Sequence, residues 1–141
     1  MIVETFLDSN VLIYAATGRI DAPEKYAVAR GLLTTEFGTS AQVLGEFYSN
    51  VIRKGDVPLD PASAKRWVEL LARKPLQVND ASVAFRAVDL SQRYQIRYWD
   101  AAILAAAEKL GAKTVYSEDL NHGQTYGAVT VINPFLETQE G

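Results

Sequence analysis

The sequence has no cysteine and a single histidine, His122, among its 141 residues. Without cysteine there is no disulfide, no thiolate metal site and no thiol nucleophile, and a reducing cytoplasm suits such a chain. A single histidine also provides few ligands for zinc and only one candidate base for Ser-His catalysis. Any catalytic or metal site must therefore be sought among the remaining side chains.

Long apolar runs and an excess of positive charge are also missing. No apolar stretch approaches the roughly 20 residues that span a bilayer, and Glu4 stands where a signal peptide carries basic residues. We therefore expect a soluble, unexported, cytoplasmic protein. The net charge of -3 gives no overall attraction to nucleic acid, so such binding would need a local basic patch or metal ions.

The composition that is present, with 48% hydrophobic and 22% charged residues, is typical of a compact globular domain. Repeats, low-complexity tracts and linkers are absent from the sequence, which predicts one domain over residues 1–141. Short strand-like runs alternate with helical patterns, the strands being predicted over residues 2–7, 37–40, 76–78, 113–117 and 128–133. Because parallel strands need crossover helices, this alternation predicts a three-layer α/β/α sandwich with a central, mainly parallel sheet of about five short strands.

Helix starts are marked by polar residues that commonly cap a helix. The first helix is predicted to begin with Asn10 as its cap, and the second with a capping box formed by Asp21 and Glu24 around Pro23. The next three are predicted from the caps Ser40, Asp60 and Asp80. A last, alanine-rich helix is predicted over "WDAAILAAAEKL".

Carboxylates follow two of the predicted strands. Asp8 comes directly after the first strand, and Glu118 and Asp119 follow "KTVYS". In open α/β sheets, ligands bind outside the carboxyl ends of the strands, so these side chains are candidates for a site. Asp8 is equally suited to cap the next helix, and Glu118 and Asp119 equally suit a solvated turn. Position alone leaves both alternatives open.

Asp100 lies in the first turn of the alanine-rich helix, on the same face as Ile103, Leu104 and Ala107. A carboxylate on an apolar face is costly unless it is paired, protonated or bound to a cation. Either it meets the positive end of the helix dipole, or this helix end lines a polar cleft.

Glu46 lies opposite the apolar stripe of its helix, which contains Val43, Leu44, Phe47 and Val51. That side is either solvated or turned toward a polar pocket, and periodicity does not separate the two.

Taken together, these carboxylates make the chain resemble the PIN domain family, and within it the VapC-like toxin ribonucleases of toxin-antitoxin pairs. "FLDSNVLIY" resembles the opening motif with Asp8 as first acid, and "TSAQVLGEFYSNVIRK" the second motif with Glu46 as its acid. "YWDAAILAAAEKLGAKTVYSEDLNHGQTYGAVTVINPF" resembles the C-terminal third, with Asp100 and Asp119 as the remaining acids. Ser9 replaces the threonine of many relatives and keeps the hydroxyl, and Ser117 two positions earlier favours Asp119 over Glu118.

The resemblance implies a metal-dependent endoribonuclease, the toxin of a toxin-antitoxin pair. Mg2+ or Mn2+, hard cations that prefer oxygen ligands, would bind to Asp8, Asp100 and Asp119. Glu46 would hold a bound water or orient the nucleophile, and Asn10 and Ser117 would support the site. The resemblance also implies an RNA substrate, a homodimer, and a small antitoxin whose C-terminal segment reaches the acidic cleft.

Basic and aromatic residues near these motifs are candidates for RNA contact. The basic candidates are Arg53, Lys54, Arg93 and Arg97. Each is also explained by a structural role, because basic residues at helix C-termini favour the helix dipole. Tyr98 and Trp99 could stack on bases or serve a core or dimer contact, and His122 is expected in a solvent-facing turn.

Two other functions were weighed against the ribonuclease. A receiver-like signalling module that binds magnesium would have an acidic pair after the first strand and a lysine at the end of a late strand. Here Asp8 stands alone and Lys113 begins its strand. A PIN-like scaffold that binds RNA or a partner without cleaving would lack one of the four acids, and none is missing.

Overall fold

A computed structural model of the chain describes residues 3–53 and 58–136. The helices are α1 (Ser9–Asp21), α2 (Pro23–Leu33), α3 (Ala41–Val51), α4 (Pro61–Leu71), α5 (Ala81–Tyr94) and α6 (Tyr98–Lys109). The strands are β1 (Thr5–Leu7), β2 (Thr39–Ser40), β3 (Leu76–Gln77), β4 (Thr114–Tyr116), β5 (Thr125–Tyr126) and β6 (Val129–Ile132). No helix within the described ranges is long and apolar enough to cross a membrane.

The main sheet has four strands in the order β1-β4-β6-β5. β1, β4 and β6 run parallel, with Phe6 opposite Val115 and Val115 opposite Val131, while β5 is antiparallel to β6. β2 and β3 form a separate parallel pair, which an isolated bridge between Phe6 and Gly38 connects to β1. The predicted class, α/β with a central and mainly parallel sheet, is therefore confirmed.

β5 is a strand that the sequence did not predict. It pairs with β6 through a tight turn at Gly127, whose φ of 60° is a conformation that favours glycine. Its two residues, Thr125 and Tyr126, stand between polar residues and glycines, so no apolar run marks a strand there.

Three predicted caps are confirmed and two are wrong. Ser40, Asp60 and Asp80 each accept a hydrogen bond from a backbone N–H in the first turn of the following helix. α1 is capped by Asp8 instead of Asn10, because Asp8 Oδ1 accepts from the Ser9 N–H at 2.7 Å. The capping box at Asp21 does not form. α1 extends through Asp21, and α2 begins after Ala22 without a side-chain cap.

α6 lies in the centre of the molecule. Its residues from Ala101 to Ala107 are all buried, five of them alanines, and the helix packs against α5 and against strands of both sheets. The small side chains allow this close approach, and a larger residue there would overpack the interface at a cost of about 1–3 kcal/mol. The burial of α6 fixes its first turn, which carries Asp100.

Gly38 lies where the β2-β3 pair meets β1. A Cβ atom at this position would come within 2.9 Å of Val3 Cγ2 and of Leu110 Cδ1. Its backbone N–H donates to Thr5 O at 2.9 Å, and its carbonyl accepts from Leu7 N at 3.1 Å. Glycine is therefore favoured here by lack of space, and the two sheets approach closely because of it.

Candidate active site

An open cleft of about 370 Å³ lies beyond the carboxyl ends of β1 and β4. All four acids selected from the sequence line it: Asp8 after β1, Glu46 on α3, Asp100 on α6 and Asp119 after β4. The other residues that line it are Ser9, Asn50, Arg97, Trp99 and Ile103. Four segments that are distant in the sequence thus bring their carboxylates to one place.

Asp8 and Asp119 are joined by hydrogen bonds through two polar side chains. The buried Ser117 hydroxyl donates to Asp8 Oδ2 at 2.8 Å and accepts from the Asp119 N–H at 3.1 Å. Asn10 Nδ2 donates to Ser117 Oγ at 3.2 Å and to Asp119 Oδ2 at 3.1 Å. Ser117 thus bonds both the Asp8 side chain and the Asp119 backbone, and Asn10 bonds the Asp119 side chain.

Asp8 has a strongly perturbed carboxyl group. Burial raises its pKa from 3.8 to about 7, against the lowering effect of hydrogen bonds from Ser117 and from the Ser9 N–H. The negative charges of Glu46 and Asp119 raise the pKa further. The two alternatives for Asp8 are thus compatible, because one oxygen caps α1 while the carboxylate as a whole lines the cleft.

Glu46 is half-buried and lines the cleft. Its side of the helix is therefore turned toward a polar pocket and is not simply solvated. Its Oε1 accepts from Ser9 Oγ at 3.2 Å, and its Oε2 accepts from Gln42 Nε2 at 3.2 Å. Gln42 also donates to the Trp99 carbonyl at 3.1 Å and accepts from Asn79 at 3.1 Å. Gln42 thus connects Glu46 to the start of α6.

Asp100 is half-buried in the first turn of α6. Desolvation raises the pKa of its carboxyl group, the positive charge of Arg97 lowers it, and Asp119 raises it again. Arg97 occupies the N-cap without a side-chain capping bond, so Asp100 is not the cap of this helix. The end of α6 lines the polar cleft, and Asp100 in its first turn also meets the positive end of the helix dipole, so both alternatives hold.

The donor set suits a hard divalent cation. The cleft offers four carboxylates, and in two of them, Asp8 and Asp100, the neighbouring negative charges raise the pKa, a cost that a bound cation relieves. Within residues 3–53 and 58–136, no group of three or more His, Cys, Asp or Glu side chains lies close enough together to hold a metal ion. Mg2+ usually binds one or two carboxylates and keeps several waters, so it does not require three protein ligands.

The basic residues predicted to contact RNA fall in different places. Arg97 lines the cleft, whereas Arg53 Nε donates to the Ser49 carbonyl at 3.0 Å and Arg93 lies 5.2 Å from the Tyr94 ring centroid. Neither Arg53 nor Arg93 lines the cleft, and Lys54 lies outside the described residues. Arg97 is therefore the best supported of these candidates.

Trp99 lines the cleft and is 54% exposed, while Tyr98 packs against the core and meets the Trp99 ring edge-on at 5.0 Å. His122 is exposed, as predicted, and its Nδ1 accepts from the Asn133 N–H at 3.0 Å. Trp99 is thus the ring available for stacking.

A second concavity of about 330 Å³ adjoins the cleft and shares Ser9, Asn50 and Asp119 with it. Its wall includes Tyr14 and Glu118, and Glu118 accepts from Tyr14 and pairs with Lys25 instead of lining the cleft. The contacts of Tyr14, Lys25 and Gln42 were not predicted from the sequence. The spacing of Gln42 and Glu46, four residues apart on one helix, could have indicated their hydrogen bond, whereas no local pattern links Lys25 to Glu118.

The fold and the cleft define an α/β protein with an acidic site at the carboxyl ends of parallel strands. The PIN domain family model matches residues 5–128, and the chain belongs to this family. No protein with a curated description matches the sequence significantly.

Solved structures of similar fold include a toxin-antitoxin complex from Klebsiella pneumoniae, with 21% identity, 94% of this chain and 98% of that chain covered, and a TM-score of 0.68. VapC20 of Mycobacterium tuberculosis, described as a toxin that cleaves the sarcin-ricin loop, has 21% identity, 82% and 90% coverage and a TM-score of 0.66. DNA-bound VapBC from Salmonella typhimurium has 18% identity, 93% and 97% coverage and a TM-score of 0.63. These similarities show a common fold.

Proposed function

We propose that this protein is a metal-dependent endoribonuclease that hydrolyses RNA phosphodiester bonds and acts as the toxin of a toxin-antitoxin pair. The observation that carries the proposal is the meeting of Asp8, Glu46, Asp100 and Asp119 in one cleft of a PIN domain. The described activity of VapC20, a toxin that cleaves the sarcin-ricin loop, supports the same assignment.

Asp8 and Asp100 would hold Mg2+ or Mn2+, with Asp119 acting through a bound water, since no three acids of the described residues lie close enough to bind one ion directly. When bound, the cation supplies charge stabilisation at the scissile phosphate and activation of a water molecule. Glu46, held by Ser9 and Gln42, would orient the attacking water. Ser117 and Asn10 would keep Asp8 and Asp119 in position, since groups that orient ligands contribute strongly to metal sites.

The substrate would approach along the side of the cleft that carries Arg97 and Trp99. Arg97 would attract backbone phosphates, and the exposed Trp99 ring would stack on an unpaired base. The excess of carboxylates makes the same cleft a complementary site for a basic residue of an antitoxin. The toxin-antitoxin complexes among the structures of similar fold support such a partner. A cytoplasmic homodimer with one domain per chain completes the proposal.

The decisive experiment compares the wild type with Asp8→Asn and Asp100→Asn on structured and single-stranded RNAs, with Mg2+, with Mn2+ and with a chelator. We expect metal-dependent cleavage by the wild type and losses of more than about 100-fold in both variants, since even groups that only orient metal ligands are worth 10- to 100-fold.

Asp60→Asn is the matched control. Asp60 also caps a helix, and it lies outside the cleft. Because asparagine caps helices as well as aspartate does, this variant should cleave like the wild type. Cleavage that persists in the chelator, or in either cleft variant, would contradict the proposed function.

A further inference from the structure

Lys25, Tyr14 and Glu118 form a cluster beside the cleft. Lys25 Nζ pairs with Glu118 Oε2 at 3.0 Å, the Tyr14 hydroxyl donates to Glu118 Oε1 at 2.7 Å, and Lys25 also donates to the Tyr14 oxygen at 3.2 Å. Both oxygens of Glu118 therefore have a partner. We name this cluster the Glu118 clamp.

The clamp connects two consecutive helices, α1 through Tyr14 and α2 through Lys25, to the loop after β4 through Glu118, which is distant from both in sequence. Lys25 Nζ also lies over the Tyr14 ring at 4.9 Å from its centroid, and the Tyr14 ring packs edge-on against Phe135 at 5.1 Å. The side chains of Lys25 and Glu118 are 24% and 21% exposed. Such a partly buried contact restrains its members more than a surface ion pair does.

The clamp acts at the residue next to a predicted metal ligand. Glu118 precedes Asp119, and its backbone N–H donates to Asn10 Oδ1 at 3.3 Å. The amide nitrogen of the same Asn10 donates to Asp119 Oδ2 at 3.1 Å. Asp119 itself is exposed, so its position depends on the backbone that carries it and on this one amide.

We propose that Lys25, Tyr14 and Glu118 are positioning residues that hold the loop after β4 so that Asp119 faces the acidic cleft. This inference rests on the proposed function, because it takes Asp119 as a ligand of the divalent cation through a bound water. The three clamp residues are not proposed to contact the substrate. Its effect is transmitted to the cation through Asp119.

The test uses Glu118→Gln, which keeps the shape and removes the charge, and Lys25→Met, which removes the cation. Mn2+ binding is measured by calorimetry, kcat and KM for RNA are measured at several Mn2+ concentrations, and backbone hydrogen exchange is followed over residues 117–121. We expect Mn2+ binding to weaken about 10-fold in each variant, the lower end for groups that orient metal ligands. kcat should fall at low Mn2+ and recover at high Mn2+ with KM for RNA unchanged, and Lys25→Arg should retain most of the binding.

The Arg86–Glu108 ion pair provides a matched control. It joins α5 to α6 at 2.7 Å with side chains 33% and 22% exposed, and neither residue lines the cleft. Arg86→Met should lower thermal stability about as much as Lys25→Met does and leave Mn2+ binding unchanged. An equal loss of Mn2+ binding in Arg86→Met would overturn the clamp.

The clamp proposal is also overturned if Glu118→Gln and Lys25→Met bind Mn2+ and exchange hydrogen like the wild type. That result leaves the ribonuclease proposal intact. If the wild type binds Mn2+ but cleaves no RNA, the ribonuclease proposal fails, and weaker Mn2+ binding in the two variants still supports the clamp.

Discussion

Asp8 and Asp119, on the sheet side of the acidic cleft, are joined through Ser117 and Asn10 by hydrogen bonds of 2.8–3.2 Å. On the helix side, Glu46 is held by Ser9 and Gln42, and no hydrogen-bond partner of the Asp100 side chain is found within the described residues. Asp8 is also 6% exposed, whereas Asp100 is half-buried. Asp8 on the sheet side is therefore held in place before any ligand arrives, while Asp100 on the helix side can adjust to what binds.

The largest expected effect is the pH dependence of protein stability that Asp8, on the sheet side, produces. The pKa of Asp8 is about 7 in the folded protein and 3.8 without the fold, so the folded state binds the extra proton between these values. The contribution of Asp8 to the stability of the metal-free protein should therefore be greatest below about pH 4. It should fall by up to roughly 4 kcal/mol as the pH rises to about 7.

Denaturant unfolding in a chelator between pH 4 and 8 measures this fall. Asp8→Asn should abolish most of it, whereas Asp100→Asn on the helix side should leave most of it in place. An unchanged pH dependence in Asp8→Asn would refute the difference between the two sides.

The next largest effect concerns the residues that bond to the acids on each side, Ser117 on the sheet side and Gln42 on the helix side. Ser117→Ala removes a buried hydroxyl that bonds to Asp8, Asn10 and the Asp119 N–H, and should lower kcat/KM by about 10- to 100-fold and stability by about 1–3 kcal/mol. Gln42→Ala on the helix side leaves Glu46 its bond from Ser9 and should cost less than about 10-fold in kcat/KM. RNA cleavage rates and thermal unfolding of both variants provide the measurement, and equal losses would argue against a preformed sheet side.

The smallest effect concerns the helix side alone. Arg97→Gln should weaken RNA binding by at most about 1 kcal/mol, roughly fivefold, and reduce the slope of log affinity against log salt by about 0.7. Arg93→Gln is the matched control, because Arg93 lies on the Tyr94 ring outside the cleft. Titrations of single-stranded RNA at several salt concentrations test this, and equal slopes for Arg97→Gln and the wild type would exclude Arg97 from phosphate contact.

Much of the fold follows from local pattern, and the exceptions have physical causes. The caps Ser40, Asp60 and Asp80 were predictable because a cap acts within one turn of its helix. The start of α1 was misplaced because Asp8 and Asn10 are equally good caps, and only the backbone decides between them. β5 escaped prediction because it lies in a polar, glycine-flanked stretch without an apolar run.

The candidate site was predictable to the extent that its acids follow strands or occupy unusual helix faces. Asp8 and Asp100 could be selected in this way, whereas the face of Glu46 is interpretable only once Ser9 and Gln42 are seen beside it. The pairing of Lys25 with Glu118, 93 residues apart, depends entirely on tertiary structure. The metal, the RNA substrate, the antitoxin and the homodimer remain predictions.

Gly38 contributes indirectly to the position of Glu46 in the cleft. α3 follows directly from β2, so the distance of Glu46 from Asp8 depends on how near β2 can come to β1. A Cβ atom at position 38 would lie 2.9 Å from side-chain atoms of Val3 and Leu110 and 3.2 Å from the Pro75 carbonyl, so these neighbours would have to move. A residue that carries no charge and lines no part of the cleft thus favours the backbone contact with β1 from which α3 and its Glu46 follow.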